Sequence, residues 1–271
     1  MRNEAGKILQ HYMQSWNLIY DSDGFHTHCS LIQPVIYKDI KAILKITFSI
    51  EEKRGNKLML WYNGKGAAKV LKCDDGAILM ERVIGDQSLR TMALNNRDDE
   101  ATRIICRTAN LLHADRNKGL PELIPLNIWF NELFLSAGKY GSPFTECAGI
   151  AKPLLDGQND ITVLHGDLHH DNILYSPERG WLAIDPKGLL GERAFDYANI
   201  LCNPDKEIAL SKNRLTKQID VISKNTGINY NHLLKWTIAW AGLSAVWFLN
   251  DNMDASLPKS VAEIALKELN N

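Results

Sequence analysis

The stretch that most constrains this chain is residues 163–185, VLHGDLHHDNILYSPERGWLAID. An apolar pair leads into His165-Gly166-Asp167, and Asn172 follows five positions after Asp167. Ile173-Leu174, a turn over residues 176–180, and the apolar run Trp181-Leu182-Ala183-Ile184 then deliver Asp185. The pattern reads as a strand, a polar loop, a short strand, a turn, and a strand that ends in a carboxylate. A polar loop between two strands is common, and a bare Asp…Asn pair usually means nothing more. Here the His-Gly lead-in, the apolar pair after Asn172 and the terminal Asp all accompany it, and a simple turn explains none of them.

Phosphoryl transfer from ATP calls for one carboxylate to orient and deprotonate the attacking hydroxyl. It also needs an amide and a second carboxylate to hold Mg²⁺ against the triphosphate. Asp167, Asn172 and Asp185 supply those residue types in that order. Asp167 is therefore the candidate catalytic base, and Asn172 and Asp185 are the candidate metal ligands. His169 and His170 invite a transition-metal reading, but neighbouring loop residues point differently and no CxxC or HExxH completes a site.

Upstream, Gly24-Phe25-His26-Thr27-His28-Cys29-Ser30 is a small, polar turn. It precedes two expected strands, residues 31–37 and 41–46, around a tip at Lys38-Asp39-Ile40. With Thr27 and Ser30 at its bend, such a turn can cover triphosphate oxygens with backbone N–H groups. Lys45 lies inside an Ala-Ile-Leu-Lys-Ile strand, where an ammonium is costly unless an anion compensates it. A lysine reaching the α- and β-phosphates fits that position. Glu51 and Glu52 open the next helix; Glu52, with Glu51 as the close alternative, is the candidate tether for Lys45, although acids also favour helix N-termini for their own sake. Residues 67–71 and 76–83 read as a hairpin around Cys73-Asp74-Asp75. The segment from Glu81 to Val83 is then a hinge that can offer backbone groups to adenine.

Further along, Asp98-Asp99-Glu100 opens a helix with an apolar stripe of Ile104, Ile105, Thr108, Leu111 and Leu112. Residues 127–135 are helical, and Ser142-Pro143 starts a helix that runs to Leu155. Residues 193–201 read as a helix whose Asp196 braces the catalytic loop. The C-terminal quarter is helical, with Trp236, Trp240 and Trp247 on one face, read as core. Strands crowd the first eighty or so residues and helices the rest. That is an α+β plan of two unequal lobes: a small β-rich nucleotide-binding lobe over 1–83 and a larger helical lobe over 84–271 for catalysis and acceptor binding, with ATP between them.

Composition narrows the partners. A formal net charge of −1 gives no field for nucleic acid or an anionic membrane, so phosphates must be gripped by local charge. Five scattered cysteines suit a reducing cytoplasm better than a disulfide framework. The N-terminus carries charged and polar residues where a signal peptide needs an apolar core. The apolar segment 236–249 falls short of the roughly 18–20 residues of a membrane helix and reads as a buried core helix. The expected partner is a small hydroxylated substrate, with no nucleic acid and no membrane, and the expected assembly is a monomer or homodimer.

With these residues in place, the chain resembles the aminoglycoside phosphotransferase branch of the kinase-like fold. It is most similar there to the streptomycin 6-phosphotransferase and hydroxyurea-resistance kinase group. The residues that carry the likeness are Trp61-Tyr62-Asn63-Gly64-Lys65-Gly66-Ala67-Ala68, Leu79-Met80-Glu81-Arg82, His165 through Leu174, and Trp181-Leu182-Ala183-Ile184-Asp185-Pro186-Lys187-Gly188. The resemblance spans about residues 16–249 and implies ATP and Mg²⁺ as cofactors. It assigns Asp167 as catalytic base, Asn172 and Asp185 as metal ligands, and Lys45 as the triphosphate lysine. It also implies a streptomycin-like acceptor phosphorylated at its 6-hydroxyl, and antibiotic resistance as the outcome. Planar guanidinium groups on such an acceptor pair best with carboxylates, and Asp205, Glu207, Asp251 and Asp254 are candidates. One departure is Asp171, where relatives usually carry Gly; an extra carboxylate there is expected to reshape the loop or repel phosphate. Two rival readings stand beside this one: a kinase for another hydroxylated metabolite or a hydroxyurea-like compound, and a nucleotide-binding regulator without catalysis. The presence of Lys45, Asp167, Asn172 and Asp185 together argues against the second. A protein kinase is disfavoured, because His165-Gly166-Asp167 lacks the arginine of phosphorylation-regulated kinases.

Overall fold

A computed structural model describes residues 2–27 and 29–271. His28, in the turn expected to cover phosphate, lies outside the described residues. The first elements are α1 (Arg2–Ser15), β1 (Ile19–Tyr20), β2 (Phe25–His26), β3 (Ser30–Tyr37), β4 (Ile40–Thr47), α2 (Ile50–Tyr62), β5 (Val70–Cys73) and β6 (Ala77–Glu81). Their strands form one antiparallel sheet in the order β1-β3-β4-β6-β5, with β2 also on β3. Lys38 and Asp39 take φ of 48° and 64°, the left-handed pair that a two-residue hairpin tip requires. Ile40 already belongs to the strand, so the tip is one residue shorter than expected. Lys45 sits in register with Ile32 and Ile78 on the central strand β4. Tyr12 and Met13 of α1 close one face of the sheet over Leu44, Ile46 and Leu79.

Beyond the hinge come α3 (Leu89–Leu94) and α4 (Asp98–His113). The stretch expected as one helix over 127–135 divides at Phe130 into α5 (Leu126–Trp129), which follows β7 (Ile124–Pro125), and α6 (Asn131–Tyr140). Phe130 is fully buried against Phe195 and Trp236. Next are α7 (Phe144–Asp156), β8 (Ile161–Leu164), β9 (Ile173–Ser176), β10 (Gly180–Ala183) and β11 (Leu189–Glu192). The 163–185 run folds as read: β8 delivers the loop, and β9 and β10 form an antiparallel hairpin with Trp181 opposite Tyr175.

The helix expected over residues 193–201 forms over 193–202 and winds as a 3₁₀-helix. At three residues per turn, side chains three apart lie one above the other, which puts Asp196 and Asn199 on the same side. Both reach the catalytic loop. The chain ends with α8 (Lys206–Ala209), α9 (Arg214–Thr226), α10 (Tyr230–Asn250) and α11 (Ser256–Leu269). α10 is apolar nearly all round because it is the core helix, packed by α6, α7, α11 and the 3₁₀ run. Among the described residues no helix is long and apolar enough to cross a membrane.

The hairpin β9–β10 ties the sheet to the helices. Ala68 N–H donates to Ala183 O at 2.9 Å, and Ala183 N–H donates to Gly66 O at 2.9 Å. Arg179, at its turn, pairs with Glu81. The catalytic loop and the sheet are thereby held on one frame.

Candidate active site

The loop after β8 is built around two buried polar groups. His165 Nδ1 accepts the Asp167 N–H at 3.2 Å, and Nε2–H donates to Ile184 O at 2.9 Å, which fixes the neutral tautomer. Burial lowers its pKa in the same direction. Beneath it, Asp196 Oδ1 accepts Gly166 N–H at 2.7 Å, while Oδ2 accepts His165 N–H at 2.9 Å and His113 Nε2–H at 2.8 Å. Burial pushes this carboxyl up, but His113 and the backbone donors outweigh it and hold the group below the ordinary carboxylate range.

These contacts fix the backbone on either side of Asp167. Its carboxylate is held as well: Oδ1 accepts Asn199 Nδ2–H at 2.8 Å and Oδ2 accepts Asn172 Nδ2–H at 3.2 Å. The second Asn172 N–H goes to Asp167 O at 2.8 Å. Asn199 is itself oriented, since its Oδ1 accepts Trp240 Nε1–H at 3.0 Å and Asn203 Nδ2–H at 3.1 Å. Each of these neighbours is a donor, so both Asp167 carboxylate oxygens are held as acceptors.

Asp185 follows β10 in a left-handed conformation, φ 61°, which Asp tolerates better than most residues. Its flanks are stitched to the catalytic loop: Ile184 N–H donates to Asn172 O at 2.9 Å, and Lys187 N–H donates to His165 O at 2.7 Å. From the other side α2 packs against Pro186. A Cβ on Gly55 would lie 2.1 Å from Pro186 O, which explains a mid-helix glycine that otherwise costs about 1 kcal/mol against alanine.

Lys45 pairs with both Glu52 and Asp185. Burial pushes the Asp185 carboxyl up, but Lys45 and then Lys187 hold it below its usual range. Lys187 Nζ lies 3.0 Å from Glu51 and 3.5 Å from Glu52. Burial opposes its charge, yet Asp167, Glu51, Glu52 and Asp185 outweigh it and raise its pKa. Four carboxylates thus surround two ammonium groups.

That excess of negative charge suits a divalent cation. Both amide hydrogens of Asn172 are engaged by Asp167, which leaves its carbonyl oxygen as the donor, and Asp185 adds a carboxylate. One carboxylate and one amide oxygen fit Mg²⁺, which takes the rest of its octahedron from water and phosphate. Among the described residues no cluster of three His, Cys, Asp or Glu side chains is arranged to hold a metal unaided.

Two cavities meet at this centre. One, of about 550 Å³, lies between the sheet and the hairpin and is lined by Thr27, Ile43, Lys45, Glu52, Met80, Glu81, Val83, Leu174 and Asp185 among others. The other, of about 700 Å³, opens on the helical side, with Asp167, His169 and Asn199 at one end and Trp129, Trp240, Trp247, Phe248, Asp251 and Asp254 along it. Trp247 stands edge-on to Trp129 at 5.2 Å and to Trp240 at 5.5 Å. A family model described as aminoglycoside/hydroxyurea antibiotic resistance kinase matches residues 15–252.

The chain belongs to that kinase family. A relative named streptomycin 3''-kinase from Klebsiella pneumoniae is 44% identical over 88% of this chain and 91% of its own length. Streptomycin 6-kinase from Streptomyces griseus is 26% identical over 94% of this chain and 86% of its own. Among solved structures, an aminoglycoside phosphotransferase in ternary complex with ADP and hygromycin B superposes with a TM-score of 0.72. It covers 95% of this chain and 97% of its own at 9% identity, a likeness of fold. The chain has the two-lobe kinase-like fold that the sequence implied.

The structure gathers Asp167, Asn172, Asp185, Lys45 and Glu52 at one place, although they are spread over 140 positions. Thr27 lines the nucleotide-side cavity, its Oγ1 accepting the Ser30 N–H at 3.0 Å within the tight turn. Ser30 does not line it: the residue is buried and its Oγ donates to Glu52 at 3.1 Å, so it positions the Lys45 tether instead of covering phosphate. The Glu81 carboxylate is taken by Arg179 and by the Lys69 N–H at 2.7 Å, and its own N–H donates to Lys69 O at 2.9 Å. The Val83 N–H has no backbone partner among the described residues.

Asp171 faces a cation of its own. Arg90 lies 3.3 Å away, itself fixed by Pro204 O at 2.8 Å and Asp205 at 3.1 Å. Of the four acids considered for an acceptor, Asp251 and Asp254 line the second cavity, whereas Asp205 pairs with Arg90 and neither it nor Glu207 lines the wall. The three tryptophans divide likewise: Trp236 is fully buried core, Trp240 is buried in the same core, and Trp247 packs partly buried against it, while Trp240 and Trp247 also present an edge to the cavity. Asn199 and Lys187 were not anticipated as site residues.

Proposed function

We propose that this chain transfers the γ-phosphoryl group of ATP to a hydroxyl of streptomycin, and that the hydroxyl is the 3'' one. The observation that carries the reaction is the placement of Asp167 in the acceptor-side cavity with Lys45 and Asp185 in the adjoining one. Adenine sits against the hinge at Val83, and Lys45 faces the α- and β-phosphates. Asp185 and the Asn172 side-chain carbonyl oxygen would hold Mg²⁺, which would supply charge neutralisation to the triphosphate. Asp167 receives the acceptor proton as the acceptor oxygen forms its bond to the γ-phosphorus. The bridging P–O bond breaks and its electron pair leaves with ADP.

The acceptor side fits a polycation. Asp251 and Asp254 offer carboxylates to guanidinium groups, and Trp240 and Trp247 offer aromatic surface on which such planar cations stack. The 44% identity to a 3''-kinase, against 26% to a 6-kinase, supports the 3'' position over the 6 position that the sequence motifs implied. The 6-hydroxyl stays as the second reading, because the hydroxyurea-type family model and the 6-kinase relative both match nearly the whole chain. The same proposal assigns residues 1–83 chiefly to nucleotide and 84–271 to acceptor, with Glu51 crossing over to the acceptor cavity. The five free cysteines suit a cytoplasmic setting, and resistance to streptomycin is the outcome the reaction would have.

Incubation with streptomycin and Mg·ATP, followed by mass spectrometry and NMR of the product, tests this. One added phosphate on the 3''-oxygen is expected. Phosphate on the 6-oxygen selects the second reading, and turnover of another hydroxylated compound with none of streptomycin overturns both.

A further inference from the structure

Among the described residues, Lys187 is the one side chain that lines both cavities. Its backbone is fixed from two directions: its N–H is bonded to His165 O at 2.7 Å, and the following Gly188 takes a φ of 73° against Arg54 of α2. Its stem packs over the catalytic loop, since a Cβ on Gly166 would lie 3.1 Å from Lys187 Cβ. The ammonium group is therefore held at the junction where a phosphoryl group must pass from the nucleotide side to Asp167.

Its partners at that junction are exchangeable. Glu51, at 3.0 Å, is about two-fifths exposed, and the Glu52 contact at 3.5 Å is long because that carboxylate is already engaged by Lys45 and Ser30. A pair whose carboxylate is this open to solvent is weakened by it and yields to a more highly charged anion. Lys45 already faces the nucleotide cavity from the sheet, so Lys187 adds a second cation from the opposite wall.

We propose that Lys187 is a catalytic residue that leaves Glu51 and Glu52 to donate hydrogen bonds to the non-bridging oxygens of the transferring phosphoryl group. This rests on the kinase reading above and adds a named contact to it. In the step itself the acceptor oxygen forms its bond to phosphorus, its proton passes to Asp167, and the bridging P–O electron pair leaves with ADP. Lys187 gives up no proton in the step and acts only as a hydrogen-bond donor. Its hydrogen bonds strengthen as charge spreads over the equatorial oxygens, which is how a fixed cation lowers such a barrier.

The test compares the native chain with Lys187→Met and Lys187→Arg, using thermal unfolding to check each fold. Binding of Mg·ADP and of a non-hydrolysable β,γ-imido ATP analogue is measured by calorimetry, and kcat by ADP release. Lys187→Met is expected to keep ADP affinity within about threefold, to lose at least about tenfold for the analogue, and to lose about 10²–10³-fold in kcat. Lys187→Arg, which retains the charge, is expected to recover a large part of both losses. Parallel changes in the two affinities, or a kcat loss below about tenfold, would overturn the assignment. If the Met variant does not fold, Lys187→Gln is read by the same criteria. The binding comparison uses no acceptor, so a wrong acceptor leaves it intact, whereas a native chain that binds neither nucleotide overturns the kinase reading itself.

Discussion

Replacing Asp196 by Asn tests how the catalytic loop is held. The carboxylate accepts three hydrogen bonds at 2.7–2.9 Å, from Gly166 N–H, His165 N–H and His113 Nε2–H, and its side chain is fully buried. All three partners are donors. An amide of the same shape has only one accepting oxygen, and either orientation points its NH₂ at a backbone N–H. With the oxygen toward Gly166, His113 can change tautomer and accept, but His165 N–H is left facing an N–H. With the oxygen toward His165, Gly166 N–H is left instead. One buried donor without a partner costs about 1–3 kcal/mol, and the loss of a buried charge from a fully donated site brings the total to about 3–5 kcal/mol. Denaturant unfolding of Asp196→Asn should show that loss, and kcat should fall at least about tenfold because the backbone entering Asp167 loses its anchor. A variant within about 1 kcal/mol of native stability would mean that the three contacts do not hold the loop, and the reasoning would be wrong.

Asp167→Asn should lower kcat by about 10²–10⁴-fold with nucleotide affinity nearly unchanged, since the proton acceptor is lost and the new NH₂ opposes the donors on Asn172 or Asn199; native turnover would remove Asp167 from the mechanism. Asn199→Ala should lower kcat by about tenfold or more through misplacement of Asp167, with a stability loss near 1 kcal/mol from the unpartnered Trp240 Nε1–H. Steady-state kinetics that leave kcat at the native value would reduce Asn199 to a cavity-lining residue. Burial raises the Asp98 carboxyl, but His170 and the Arg214 fork outweigh it and hold it at about 2, below the 3.8 of a free carboxyl. Its contribution, about 1–2 kcal/mol after allowing for its partial exposure, is complete above pH about 4 and lost as pH falls toward 2. Unfolding measured from pH 5 to 2 should show that loss in the native chain and much less in Asp98→Asn; equal acid profiles would count against it.

What could be read from the sequence was what lies close together along it. The run from His165 to Asp185 holds its loop, hairpin and terminal carboxylate within one local pattern, and the α+β division followed from where strand and helix periodicities change. Lys45 was legible for a different reason, since a lone ammonium inside an apolar strand needs an anion wherever the chain goes. The misreadings share a cause in contacts made across long separations. Asp171 stands in the sequence as an extra carboxylate beside the metal ligands, and its partner Arg90 lies 81 positions earlier. Ser30 looks like part of a phosphate-covering turn until Glu52 arrives over its hydroxyl.

Asn199 shows a second limit. In an α-helix it would stand about 60° round from Asp196, and nothing in the sequence separates a 3₁₀ run from an α-helix over ten such residues. Only the tighter winding stacks the two, so that Asp196 holds the backbone before the catalytic carboxylate and Asn199 holds the carboxylate itself. The tryptophans show a third. Spacing on α10 marks which residues share a face, but not whether that face is filled by protein. Trp236 meets Phe130 and Phe195, while Trp240, one turn on, meets Phe195 on one side and the open cavity on the other. The same helix therefore serves the core at its start and the acceptor further along. Its Trp240 N–H, bonded to Asn199, makes the acceptor wall and the setting of Asp167 a single hydrogen-bonded unit.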